Sequence, residues 1–75
     1  MAYRMQLPMM VLAFKDNHQA AVTIPAGKIV YLIGPAEFDD RFVVISVDGE
    51  EFHAFASDLA DRAKEVRKAA KASVA

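Results

Sequence analysis

No cysteine occurs among the 75 residues, so disulfides and thiolate metal sites are both excluded, and with them the usual reinforcement of small secreted folds. The three glycines, Gly27, Gly34 and Gly49, stand apart from one another, and no glycine-rich phosphate cradle can be assembled from them. Charge of one sign is also missing. Nine basic and ten acidic residues leave a formal charge of −1, which argues against a chain built to neutralise a phosphate backbone. The longest apolar run, Met9 to Phe14, is too short to span a bilayer, and it follows Pro8 instead of a basic leader. The expectation is a cytoplasmic chain with no targeting signal and no membrane partner. Two histidines without zinc-ligand spacing, and Asp39-Asp40 without calcium-loop spacing, give no metal site and no cofactor. The hydroxyl residues are Ser46, Ser57, Ser73, Thr23, Tyr3 and Tyr31. Only Ser46 comes near a base, as a diagonal neighbour of His53, and no third group orients that imidazole, so no catalytic residue is assigned.

What the chain does contain is a hairpin running from Phe42 to Phe55. Asp48-Gly49 is the dipeptide required by a two-residue type I′ turn, whose central residues both need positive φ. The register follows directly. Val47 faces Glu50, Ile45 faces Phe52 and Val43 faces Ala54 on one side of the ribbon; Ser46 faces Glu51, Val44 faces His53 and Phe42 faces Phe55 on the other. Both faces therefore carry large apolar side chains. One is a core, and the second needs a helix, another subunit or a ligand.

Elsewhere, Tyr3, Met5 and Leu7 alternate with polar neighbours as in a half-buried strand, and Met9 to Phe14 continues as a more buried one. Lys15-Asp16-Asn17-His18 is a turn by composition. Val22-Thr23-Ile24 forms a short strand ending at Pro25-Ala26-Gly27, and Lys28 to Ile33 forms another, stopped by Gly34-Pro35. The acidic loop Glu37-Phe38-Asp39-Asp40 leads into the hairpin. From Ser57, a good N-cap, the period changes to about 3.6, with Leu59, Ala63, Val66 and Ala70 on one stripe. Asp58 with Arg62, Asp61 with Lys64 and Glu65 with Lys68 have the spacing of helical ion pairs. These segments predict a single domain over 1–75, with strands within about 3–55, a helix over about 58–71 and a frayed tail at 72–75. The expected fold is mainly β: a small five-stranded antiparallel SH3-like barrel with one C-terminal α-helix.

The run Val22-Thr23-Ile24-Pro25-Ala26-Gly27, followed by Asp48-Gly49 and Phe55-Ala56-Ser57-Asp58-Leu59-Ala60-Asp61-Arg62, resembles a group of short, functionally uncharacterised bacterial proteins. That resemblance covers most of residues 3–62 and implies a small SH3-like barrel without an assigned activity. At fold level the pattern is also similar to the plasmid-borne type II dihydrofolate reductases, short barrels that form tetramers around a shared pore. Their pore-lining Val-Gln-Ile-Tyr segment would fall on Phe52 to Phe55, where neither the glutamine nor the tyrosine is present.

The expected function is a small homo-oligomeric interaction or binding module without catalysis of its own, contacting its own copies through Phe42, Val44, His53 and Phe55, with Tyr31 and Phe38 able to join. An alternative is an oligomeric ligand-binding protein or enzyme with a site between subunits around His53. A third reading, nucleic-acid binding through Lys64, Arg67, Lys68 and Lys71, ranks below the plainer one in which these cations complement the negative end of a helix dipole, so no nucleic-acid partner is expected.

Overall fold

Two tight turns frame the sheet. At the first, Lys15 pairs with His18, and Asp16 takes the positive φ of 50° that Asp tolerates. At the second, Asp48 and Gly49 have φ of 53° and 86°, the pair of left-handed conformations that a type I′ hairpin turn demands. Around them the chain forms β1 (Ala2–Met5), β2 (Met9–Lys15), β3 (His18–Ile24), β4 (Ile29–Pro35), β5 (Phe42–Val47), β6 (Glu50–Phe55), α1 (Ala56–Arg62) and β7 (Ala63–Val66). The computed structural model describes residues 1–16 and 18–66.

Among the described residues all strand pairings are antiparallel, and the seven strands lie in the order β3-β2-β6-β5-β4-β1-β7. The hairpin register read from the sequence is reproduced at every pair from Phe42↔Phe55 to Val47↔Glu50. The five-stranded SH3-like barrel is not. Among the described residues the sheet is open, with seven strands and with β3 and β7 as its two edges. β3 begins at His18, four residues before the expected start, because the two-residue turn pairs it with β2 along its whole length.

The C-terminal helix also needs correction. It ends at Arg62, and Ala63 takes extended angles (φ −128°, ψ 156°) so that the chain can pair with β1 from Met5↔Ala63 to Ala2↔Val66. Strand pairing along β1 thus overrides the helical spacing of Leu59, Ala63 and Val66. The Asp61–Lys64 spacing consequently falls across the helix end, not along a helix. Ser57 is not the N-cap. That position belongs to Phe55, which makes no capping side-chain bond, and the Ala56 N–H donates to the Arg41 carbonyl instead (2.9 Å). The predicted stretch 67–71, with Lys68 and Ala70, and the tail at 72–75 lie outside the described residues.

Alternation sorts the side chains into two sets. Met5, Met9, Val11, Ile24, Val30, Ile45, Val47, Phe52, Ala54 and Leu59 are buried together and form the core. Leu59 is the buried residue that α1 contributes. The helix end is tied to the β1–β2 connection in both directions. The Arg62 carbonyl accepts from the Gln6 and Leu7 N–H groups (2.7 and 3.2 Å), and the Arg62 guanidinium donates to the Pro8 carbonyl (3.1 Å).

Candidate functional site: an aromatic cluster around His53

On the face opposite the core, β2 contributes Met10, Leu12 and Phe14, β5 contributes Phe42 and Val44, and β6 contributes His53 and Phe55. This follows from the pairings Leu12↔His53, Val44↔His53 and Phe42↔Phe55. The Val44–His53 and Phe42–Phe55 pairs alternate with the hydrogen-bonded pair that closes the turn, so they are the closely approaching kind. The phenyl rings of Phe42 and Phe55 accordingly lie 4.3 Å apart. On its other side, His53 meets Phe14 edge-on at 4.7 Å.

Phe38 reaches the same place from the loop between β4 and β5. The sequence Asp39-Asp40-Arg41 folds that loop tightly: Asp39 Oδ1 accepts from the Arg41 backbone N–H (3.0 Å) and from its Nε (3.1 Å), while Oδ2 accepts from Nη2 (2.8 Å). The Phe42 N–H closes on the Asp39 carbonyl and the Ala36 N–H on the Phe42 carbonyl, both at 3.1 Å. Phe38 is thereby set 5.3 Å from Phe42, 5.2 Å from His53 and 6.0 Å from Phe14. The Arg41 guanidinium beside Asp39 holds its carboxyl down to about 2, well below the ordinary carboxylate range.

Five rings thus form one connected cluster: Phe55, Phe42, Phe38, His53 and Phe14. Their separations are those at which ring edges and faces attract. Phe42 is 7% exposed and acts as its floor, while Phe14, Phe38 and Phe55 remain 49%, 60% and 40% exposed. The Nδ1 atom of His53 is buried without a hydrogen-bond partner among the described residues.

The expected group Phe42, Val44, His53 and Phe55 is therefore brought together on one face, and Phe38 joins it. Tyr31, 52% exposed, lies on the same side of β4, opposite Ser46, without joining the ring cluster. Phe14 was not anticipated. Its signal was the alternation of Met10, Leu12 and Phe14 within an apolar run in which both faces look alike. Ser46 pairs with Tyr31 and Glu51, and among the described residues nothing hydrogen-bonds the neighbouring His53 Nδ1, so these residues build no relay there. Of the basic residues, Lys64 lies on β7 and not on a helix, and Arg67, Lys68 and Lys71 are outside the described residues. Among the described residues, no group of three or more His, Asp or Glu side chains could hold a metal ion, and no helix is long and apolar enough to cross a membrane.

No protein-family model matches this chain, and neither a curated protein nor a solved structure matches it. The resemblance to short bacterial SH3-like barrel proteins is corrected on that finding and on the open sheet. The comparison with the type II reductases loses its basis with the barrel.

Proposed function

We propose that the protein is a small homo-oligomeric interaction module that joins its own copies through the His53 face, without catalysis of its own. The observation that carries this reading is the ring cluster itself, with Phe14, Phe38 and Phe55 all far from covered. The phenyl rings carry no formal charge, so two copies can meet there without like-charge repulsion. About half of each ring is already covered, so burying the remainder is worth about 0.7–1.5 kcal/mol per ring, against which association entropy must be set. The test is light scattering behind size exclusion over a wide concentration range, comparing the wild type with Val44→Glu. The wild type is expected at a multiple of 8.2 kDa, and the variant at a smaller mass with an unchanged circular dichroism spectrum. Equal masses for the two chains refute the interface.

The unpartnered Nδ1 atom of His53 favours a second reading, a ligand held between subunits that supplies the missing hydrogen bond. A fragment screen by thermal shift should then yield compounds that stabilise the wild type and not His53→Ala. A screen without such compounds removes this reading.

A further inference from the structure

We propose that β3 is the seam of a two-fold dimer, in which it pairs antiparallel with β3 of a second copy, centred on Ala21, and joins two sheets into one. This stands on the backbone of β3 and is independent of the ring cluster. β3 is an edge strand, and six of its seven residues, all but Ile24, are exposed. Edge strands in native proteins are usually guarded by lysine, proline, a bulge or shortness, because their free N–H and C=O groups template further pairing. The other edge, β7, carries such a guard in Lys64, with Glu65 beside it. β3 has none of them. Its sequence, His-Gln-Ala-Ala-Val-Thr-Ile, holds no Asp, Glu, Lys, Arg or Pro, and it pairs with β2 without a bulge from Lys15↔His18 to Met9↔Ile24.

The choice of a second copy comes from the outward groups. A two-residue hairpin is closed by a hydrogen-bonded pair, here Lys15↔His18, and such pairs then alternate along the ladder. His18, Ala20, Val22 and Ile24 therefore spend their main-chain groups on β2, while Gln19, Ala21 and Thr23 present theirs to the open edge. A two-fold axis at Ala21 sets Ala21 against Ala21 and Gln19 against Thr23 of the second copy, each a hydrogen-bonded pair. On the other face, Ala20 meets Val22 of the second copy, so small apolar side chains line the seam and no formal charges oppose. The contact is isologous and closes on itself, whereas β3 pairing with β7 of the next copy would extend indefinitely.

Because the chain has no cysteine, single cysteines can map this register in the full-length protein. Directly opposed residues in a hydrogen-bonded antiparallel pair lie about 5.5 Å apart at Cα, within disulfide range. Under copper–phenanthroline oxidation, Ala21→Cys is expected to convert to a covalent dimer of twice 8.2 kDa. Gln19→Cys and Thr23→Cys should crosslink when mixed and much less alone, and Ala20→Cys, on the opposite face, should lag behind Ala21→Cys. Equal crosslinking at positions 20 and 21, or none at 21, overturns the seam; the latter is also what β3–β7 filaments would give. Ala21→Pro provides a second measure, since it removes only an outward N–H and leaves the β2 ladder whole. It should lower the mass by light scattering at unchanged circular dichroism, and an unchanged mass refutes the pairing. Val44→Glu combined with Ala21→Cys separates the two interfaces: the crosslink should persist in that chain whether or not the ring face assembles.

Discussion

Replacing Gly49 with alanine isolates the contribution of one backbone angle to the register that places His53. An added Cβ at Gly49 would meet nothing within 4 Å, so sterics with neighbours do not enter. Only the φ of 86° opposes the substitution. Holding an alanine in left-handed backbone costs about 1–2 kcal/mol. Against this, alanine narrows the unfolded ensemble and returns roughly 0.4–1 kcal/mol. The net expectation is a loss of about 0–1.6 kcal/mol with a midpoint of about 0.8, which lowers the melting temperature by roughly 3–6 °C for a chain of this size. Gly34 supplies the control. Its added Cβ also meets nothing within 4 Å, but its φ lies outside the left-handed range. Gly34→Ala should therefore stabilise by about 0.4–1 kcal/mol through the unfolded state alone. Thermal melts by circular dichroism at one fixed chain concentration compare the three proteins, since assembly makes melting concentration-dependent. Shifts of the same sign at Gly49 and Gly34 refute the argument that φ decides.

Leu59→Ala removes the buried anchor of α1 and should destabilise by about 2–4 kcal/mol in chemical denaturation; a loss below about 1 kcal/mol would show that the helix is held by its backbone clamp to residues 6–8 instead. The Asp39 carboxyl, observed by ¹³C NMR, should titrate near 2 and return toward 3.8 in Arg41→Gln. Because its folded pKa is depressed, the stability it contributes is present above the ordinary carboxylate value and is lost as pH falls through about 2. An Asp39 midpoint unmoved by Arg41→Gln would assign the shift to something other than the guanidinium.

The β5–β6 hairpin was legible in full because Asp48-Gly49 fixes the turn type, and a turn type fixes every pair behind it. β2 and β4 were legible as apolar runs, but their neighbours were not, since local alternation carries no information about which strand lies alongside. Two errors have a shared origin. Gln19-Ala20-Ala21 contains no strong strand former, and Ala63 to Val66 continues a helical spacing, yet both segments are extended because a partner strand pairs with them along their length. With those segments assigned to loop and helix, the remaining strands suited a small barrel; once they join the sheet, it becomes longer and stays open. At the candidate site, the Phe42, Val44, His53 and Phe55 group followed from one hairpin. Phe14 required knowing that Leu12 stands beside His53, a pairing made across 41 residues of sequence.

That distant pairing has a consequence for how the molecule comes into being. The β2–β3 and β5–β6 hairpins are each local, with turns of two residues, and can zip independently. Bringing Leu12 to His53 requires closing a long loop, and such non-local contacts are the slow part of building a β protein. On a ribosome, the N-terminal hairpin must wait for β6 to emerge before it has a neighbour, and β1 must wait longer for β7. The contact between Phe14 and His53 is therefore a late event, and its formation reports that the two halves of the sheet have joined. A chain stalled before that event exposes Phe14 and Phe38 apart from each other, two sticky surfaces in place of one.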